Sequence, residues 1–575
     1  MADAVTERQP ANRIITSPLN VEIPAIDVAS YVFSSGTAAS RGTPLYFNAE
    51  KPSQNFSLDE AKIEVKRFAR GLQKLNLQPG DRVLLFSGNR LYFPIAFWAI
   101  MAAGCVFTAI APSASALELE YQLRDSGARA LLTSPEGAET ALKAAKATSI
   151  SIDRVFLFGD PDENLAHPQI RPWTDVFCSP EEVRSWSWKH ITTLEEAKST
   201  TAVINYSSGT TGLPKGVEVT HYNLVANSEQ VIFKRNSVAD TPLGRQRKAN
   251  IDSSGERWLA PLPMYHAYGQ TYSCMSAARI GAKVFILPNF TLQKYLQFLD
   301  IYRITFMTTV PTILTMLDKY ENTHHFNLKA IEVVTSGSAP LNGEIAARIT
   351  EKYMRAGVKV KQGWGLTETT CSVTGFPPDE DDDGRSIGWM NPNCAVKIVP
   401  TDDDGQATTK TSETVGEIWV AGPNMMKGYW RNEKATRETV VESDGYRWVR
   451  TGDIGYVDGR GCIYIVDRLK ELIKVKGLQV APAELQLILV THPGVLDAAV
   501  VGAKINGQEH PRAFVVRKNE DIKAEDIAGW VKQRLSPHKW LTGGVYFVDS
   551  IPRTPSGKVK KRDLPEIESQ RVSKL

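Results

Sequence analysis

An α/β fold with largely parallel sheets is predicted by three features of the sequence. Short apolar runs rich in β-branched residues alternate with amphipathic helical runs over most of the chain. No self-similarity at a period of 20–50 residues is visible, which excludes a solenoid or propeller. The most hydrophobic stretch, Ile95–Ala111, is divided at Gly104 into an Ala-rich half and a β-branched half. It reads as a buried helix, a turn and a buried strand, not as a membrane span.

The elements follow in order. Leu58–Leu72 carries apolar residues at helical spacing and stops before the Pro79-Gly80 turn. Arg82–Phe86, Ala130–Thr133, Arg154–Phe158, Thr201–Asn205, Lys283–Leu287 and Ile331–Thr335 are strand candidates. The acidic runs Asp379–Asp383 and Asp402–Asp404, each followed by Gly, read as solvated loops. After Asp467 the elements become short and Lys-rich, as expected of a small α+β domain behind a hinge.

Composition sets bounds. Among 575 residues, 42% are hydrophobic and 23% charged, which excludes a disordered or collagen-like chain. The net charge of +3 argues against nucleic acid as the main partner. That charge is unevenly placed: 468–575 holds 19 Lys and Arg against 12 Asp and Glu, so the rest of the chain is net negative. A basic module of this kind suits an anionic ligand. Six scattered Cys without a CxxC spacing read as free thiols.

The strongest local signal is Tyr206-Ser-Ser-Gly-Thr-Thr-Gly-Leu-Pro-Lys-Gly216, directly behind the strand Thr201–Asn205. Gly209, Gly212 and Gly216 let backbone approach a ligand closely, Ser207, Ser208, Thr210 and Thr211 add hydroxyls, and Lys215 adds a cation. The loop suits a polyphosphate but does not match GxxxxGK[ST].

This run resembles the signature loop of the adenylate-forming superfamily, and further motifs of that family follow in order. They are Ser336-Gly-Ser-Ala-Pro340, Gln362-Gly-Trp-Gly-Leu-Thr-Glu-Thr369, Gly416-Glu-Ile-Trp-Val420, Thr451-Gly-Asp453, Asp467–Gly477, Val480-Ala-Pro-Ala-Glu484 and Pro555-Ser-Gly-Lys558. The run Gln479–Leu485 is similar to the 4-coumarate-CoA ligase and luciferase branch. The resemblance implies a large N-terminal region (1–467) of packed α/β subdomains with a smaller β-barrel-like part. It also implies a small mobile α+β C-terminal domain (468–575).

The chemistry implied is two-step: a carboxylic acid and ATP give acyl-AMP, and coenzyme A then takes the acyl group. By resemblance the catalytic residues are Lys558, His266, Thr210 and Glu368, with Glu368 the Mg²⁺ ligand. Nucleotide contacts fall on Ser207, Ser208, Gly209, Thr210, Thr211, Gly212, Lys215, Ser338, Ala339, Pro340, Gly363, Trp364, Gly365, Thr367, Glu368, Asp453, Arg468 and Lys558. Trp364 stands where the family usually has Tyr beside adenine, which keeps a flat ring and loses the phenol. Lys470 matches the hinge, and Lys474, Lys476 and Gly477 the coenzyme A face.

The acyl pocket would be lined by Tyr265, His266, Tyr268, Thr271, Thr335, Gly337, Gly363 and Gly365, with the three glycines leaving room for a ring or a bulky chain. Tyr265–Ser273 contains no Asp or Glu to hold an ammonium, which disfavours amino acids. Thr335 stands where plant 4-coumarate ligases commonly have Lys. A hydrophobic aryl or medium-chain acid is expected. Charging of a separate carrier protein and a luciferase-like oxygenase are the alternatives. Met1–Pro18 shows no secretory h-region. Ser573-Lys574-Leu575 reads as a peroxisomal address for an import receptor.

Overall fold

Two sheets, each mostly parallel, carry the N-terminal region of the computed structural model. The structure describes residues 14–564 except 37, 164, 208–212, 239, 321–324, 381–383, 401–413, 476–477, 506–507, 555–556 and 562. One sheet runs Gly428–Tyr429, Lys215–Thr220, Thr201–Ser207, Val106–Ile110, Arg82–Phe86, Ala128–Thr133, Val155–Leu157 and Arg171–Pro172. Only its first two pairings are antiparallel. The other runs Val360–Gln362, Val333–Ser336, Phe306–Thr309, Arg257–Ala260, Lys283–Ile286, Pro44–Asn48 and Asn55–Ser57, parallel except for the last pair.

The apolar stretch folds as its composition dictates. All ten residues of helix Phe93–Ala102 are buried, Gly104 turns at φ +84°, and strand Val106–Ile110 follows. A helix buried all round packs in the middle of the body, and Trp98 Nε1 there donates to the Cys274 carbonyl at 2.9 Å. Helix Leu58–Lys74 begins at a Ser57–Glu60 capping box and buries Ala61, Val65, Phe68 and Leu72 along one stripe. No helix among the described residues is long and apolar enough to cross a membrane. All six Cys are free thiols.

A third, antiparallel sheet is the barrel-like part. It orders Ile14–Thr16, Ala395–Val399, Gly416–Ala421, Tyr446–Val457 and Val440–Ser443, with Ile463–Arg468 also pairing Tyr446–Val457. Beyond it the chain builds a separate small core of Leu485, Leu489, Val500, Val515, Ile527 and Val531. Helices Pro482–Leu489 and Ala524–Lys532 and the sheet Val495–Ile505, Gln508–Arg517, Val545–Phe547 surround it.

Three expectations need correction. The C-terminal strands are not all short: Val495–Ile505 and Gln508–Arg517 span 11 and 10 residues. Charges on their solvent side, such as Lys504, Glu509 and Arg512, hide that length in the sequence. The strand expected at Ile331–Thr335 is Val333–Ser336, because Ile331 N closes a turn onto the Leu328 carbonyl at 3.1 Å. Asp379 is not a solvated loop residue: it ion-pairs with Arg247 and accepts from Thr241 Oγ1 at 2.5 Å. The rest of that run at 381–383, and Asp402–Asp404, lie outside the described residues.

Candidate active site

Three adjacent parallel strands end level with one another. Thr309 pairs with Ser336, and Ser336 with Gln362. The runs Ser336–Pro340 and Gln362–Glu368 therefore leave the sheet side by side at its carboxyl edge, where open α/β sheets place ligands. Gly363 N donates to the Ser336 carbonyl at 2.9 Å, joining the two runs. Ser338 holds φ +79°, a left-handed conformation that a non-glycine residue rarely adopts. Ser338 and Ala339 are half-buried there, and Pro340 is exposed.

The Glu368 loop is fixed by buried amides. Asn227 exchanges hydrogen bonds with the Ser372 backbone at 2.9 and 2.6 Å, and Asn424 Nδ2 donates to the Thr369 carbonyl at 3.0 Å. Thr367–Thr369 forms one 3₁₀ turn that leaves Thr367 and Glu368 half-buried. One oxygen of Glu368 accepts from Tyr429 OH at 2.9 Å, and its other oxygen has no donor among the described residues. That open oxygen fits a hard divalent cation shared with substrate phosphate. Among the described residues no group of three or more His, Cys, Asp or Glu forms an all-protein metal cage.

The loop expected to meet phosphate springs from the hairpin Thr201–Ser207 and Lys215–Thr220, in which Ser207 pairs with Lys215. Both stems are tied to one helix, Ala116–Ser126. Tyr206 OH donates to Asp125 Oδ2 at 2.6 Å, and Tyr121 OH donates to the Pro214 carbonyl at 2.7 Å. Lys215 Nζ lies 4.7 Å from the centre of the Tyr429 ring. Ser208, Gly209, Thr210, Thr211 and Gly212 lie outside the described residues.

Asp453 is buried at the junction of four predicted residues. Trp364 Nε1 donates to its Oδ2 and Arg468 Nε to its Oδ1, both at 2.9 Å. The indole therefore does not simply lose a polar group relative to Tyr, since its N–H engages the Asp453 carboxylate. Burial raises Asp453 above the usual carboxylate range, against the pull of Arg468, Trp364 and Lys558. Arg468 is held above its usual range: burial opposes its charge, and Asp453, Glu471 and Glu368 outweigh that.

Lys558 reaches this site from the C-terminal domain. Burial lowers its ammonium, the Arg468 charge lowers it further, and Glu368, Asp453 and Glu471 oppose both. Gly557, at φ +87°, sits against the Thr312 and Val310 side chains of the body. Arg553 Nη1 donates to the Gly557 carbonyl at 2.8 Å, and Lys561 pairs with Glu471 at 2.5 Å. Two further contacts hold the domains together: Asn342 Nδ2 donates to the Leu487 carbonyl at 3.0 Å, and Lys319 Nζ to the carbonyls of Val495 and, at 2.9 Å, Leu496.

Beside Lys558 stand the residues expected to wall an acyl pocket. His266 caps the short helix Ala267–Gly269, its Nδ1 accepting from Tyr268 N at 3.3 Å. Neutral His266 then carries its proton on Nε2. Burial, helped by the Lys558 charge, lowers its pKa to about 4. Burial raises the Tyr265 phenol far above its usual range. Tyr268 OH donates to the Thr335 carbonyl at 3.2 Å, and its ring meets Tyr272 edge-on at 4.9 Å. A Cβ on Gly337 would lie 3.4 Å from the Gly363 carbonyl oxygen and 3.5 Å from the Tyr268 ring, ordinary contacts, whereas one on Gly363 would crowd the Thr374 carbonyl oxygen at 3.2 Å. Of these two glycines Gly337 opens onto this wall, and Gly363 chiefly admits backbone.

Gly365 does not open onto it. A Cβ there would lie 1.6 Å from the Cys371 carbonyl oxygen, so this glycine admits backbone, not substrate. Thr271 is buried in the π-helical turn Gln270–Ser276, and its hydroxyl oxygen has no hydrogen-bond partner among the described residues. The turn is fixed by a reciprocal amide pair, Gln270 with Asn205, at 2.8 and 3.0 Å.

Lys470 is exposed in the turn after strand Ile463–Arg468, and Lys474 is exposed on strand Ile473–Val475. Lys476 and Gly477 lie outside the described residues, as do Ser573, Lys574 and Leu575. Sequence reasoning missed Tyr429, Lys319 and Asn342. The tripeptide Gly428-Tyr429-Trp430, an aromatic pair behind a glycine, was the available signal for the first. The other two sit in ordinary helix-end sequence.

Comparison with known proteins identifies the family and the fold. The family model described as "AMP-binding enzyme" matches residues 37–430, and that for the AMP-binding enzyme C-terminal domain matches 484–558. The phenylacetyl-CoA ligase epaB of Aspergillus niger is 34% identical over 565 residues, covering 97% of this chain and 99% of its own. The peroxisomal OPC-8:0-CoA ligase 1 of Arabidopsis thaliana is 32% identical, covering 95% and 93%. The ATP-bound structure of MatB from Rhodopseudomonas palustris superposes with TM-score 0.76 at 26% identity, covering 94% of this chain and 98% of its own. The chain belongs to the AMP-binding enzymes of the adenylate-forming superfamily and is an AMP-forming acid–thiol ligase.

Proposed function

We propose that this ligase activates a hydrophobic aryl or medium-chain carboxylic acid and transfers it to coenzyme A in the peroxisome. The observation that carries the mechanistic reading is Lys558 of the C-terminal domain lying among Asp453, Arg468, Glu368 and His266 of the site. In the first step an oxygen of the acid attacks the α-phosphorus of ATP, the bond to the bridging oxygen breaks, and pyrophosphate leaves. Charge develops on phosphate oxygens, so the Lys558 ammonium is the group that stabilises it. Asp453 takes the ribose hydroxyls, Trp364 the base, and the loop Ser207–Lys215 the polyphosphate. Bound Mg²⁺, held by Glu368, supplies charge neutralisation at the phosphates.

In the second step the coenzyme A thiol loses its proton to solvent water and the sulfur attacks the acyl carbon. The bond to AMP oxygen breaks, and AMP leaves. Lys558 is not needed there. The reading therefore divides the chain into a body, 1–467, and a cap, 468–575, that turns at Lys470 and presents Lys474, Lys476 and Gly477 to coenzyme A.

The acid is read from the wall. Tyr265, Tyr268 and Tyr272 give aromatic surface, Gly337 gives width, and Tyr265–Ser273 holds no carboxylate. One relative's name specifies phenylacetate and another's a peroxisomal location, which favours both parts of the reading. The test is AMP release across aromatic, short-, medium- and long-chain acids, with and without coenzyme A. Turnover confined to amino acids or to dicarboxylic acids overturns the substrate class. Removing Ser573–Leu575 is expected to leave a fluorescent fusion in the cytosol, and continued import would sink the location.

A further inference from the structure

We propose that Tyr429 is a positioning residue for the metal-bound polyphosphate of ATP. Its hydroxyl sets the Glu368 carboxylate and its ring face sets the Lys215 ammonium. The inference rests on the reading above that Glu368 holds Mg²⁺.

One side chain touches both groups. Tyr429 OH donates to Glu368 Oε1 at 2.9 Å, while Lys215 Nζ sits 4.7 Å from the ring centre. Their placement follows from strand register. Val217 pairs with Tyr429, which puts Lys215, two residues along, on the same face as the ring. The segment around Tyr429 is fixed from both sides. Trp430 N donates to the Gly216 carbonyl at 2.7 Å, Met426 N to the Glu368 carbonyl at 2.8 Å, and Tyr429 N to Thr436 Oγ1 at 2.9 Å. The phosphate-loop stem and the Glu368 turn are thus clamped to one short strand.

The arrangement answers a problem of charge. A magnesium polyphosphate offers a cation to Glu368 and anionic oxygens to Lys215. If the two side chains paired with each other, that ion pair would have to break before ATP could bind. A phenol satisfies each partly, by a hydrogen bond to one carboxylate oxygen and by the negative face of the ring toward the ammonium. The second carboxylate oxygen and the ammonium protons remain for the ligand.

The test is Tyr429→Phe, which keeps the ring and removes the hydroxyl. Calorimetric binding of Mg·ATP without acid, and of AMP in EDTA, separates metal-linked grip from nucleotide grip. The Kd for Mg·ATP and the half-saturating Mg²⁺ concentration are expected to rise about tenfold, the loss of one hydrogen bond to a charged group. AMP binding stays within about twofold, and thioester formation from supplied acyl-AMP is unchanged. In a Glu368→Gln background Tyr429→Phe adds nothing further to the loss. Equal losses for Mg·ATP and AMP, an unchanged Mg·ATP affinity, or additivity with Glu368→Gln each overturn the proposal. If Glu368→Gln alone leaves Mg²⁺ dependence intact, the metal assignment falls and the role of Tyr429 falls with it. If only Tyr429→Phe is silent, the assignment of Glu368 stands.

Discussion

Trp364 and Asp453, 89 residues apart, are joined by an indole N–H donating to a carboxylate oxygen at 2.9 Å. The side chain proposed to face the base thereby anchors the side chain proposed to hold the ribose. Trp364→Phe retains a flat ring and removes the donor. Its expected effect is an ATP KM raised about tenfold with the acid KM unchanged, since a hydrogen bond to a charged group is lost. Pyrophosphate release measured against each substrate separately checks this, and parallel rises in both KM values would count against it.

Lys558→Ala is expected to lower acyl-AMP formation by about 10²–10³-fold, the order found when a positioned charge-stabilising donor is removed. The reaction of supplied acyl-AMP with coenzyme A should retain most of its rate. Equal loss of both half-reactions would remove the assignment of Lys558 to the first.

The same substitution should be visible at His266. Its pKa lies at about 4, against 6.5 for a free imidazole, because of burial first and the Lys558 charge second. The native state therefore prefers the neutral ring. The stability this allows is complete above pH 6.5 and is lost as the pH falls toward 4. Lys558→Ala should move the His266 titration upward without restoring 6.5, as followed by the imidazole NMR signal. An unmoved titration would mean that the two groups do not share a site.

Gly337 and Gly365 should separate width from folding. Alanine at Gly337 meets only ordinary contacts, at 3.4 Å and beyond, so the melting temperature should hold while bulky acids lose kcat/KM relative to small ones. Alanine at Gly365 collides with backbone at 1.6 Å and is expected to cost at least about 3 kcal/mol. Thermal unfolding and an acid panel on the two variants provide the comparison.

Lys319→Met removes the ammonium that donates to the Val495 and Leu496 carbonyls across the domain boundary. Acyl-AMP formation is expected to fall by about three- to tenfold, one lost hydrogen-bonded contact. Thioester formation from supplied acyl-AMP should hold or rise. A fall in the second half-reaction alone would contradict a contact made in the arrangement described.

Much of this was legible in the residues. The strand and loop running to Lys215, the order of the motifs and the split of Ile95–Ala111 each had a local cause in the residues: glycines, hydroxyls, or a change from Ala to β-branched residues. What stayed hidden depends on long-range register. Nothing near Tyr429 says that it will face both Lys215 and Glu368, because that follows from its pairing with Val217. Gly365 was misread for the same reason. Whether a missing Cβ makes room for substrate or for backbone is decided by Cys371, which only the fold brings against it. Asp379 looked like one of a solvated run until the fold set Arg247 beside it.

Strand Ile463–Arg468 ends with Arg468 paired to Asp453, and Lys470 follows two residues later. Although the cap is counted from residue 468, a pivot at Lys470 leaves strand-paired Arg468, and with it the Asp453–Arg468 grip, on the stationary side. The mixed anhydride formed in the first step would then stay in the same custody while its surroundings are exchanged. An intermediate that hydrolyses readily in water is thereby spared a hand-over, and leakage between half-reactions becomes a property of this one pairing.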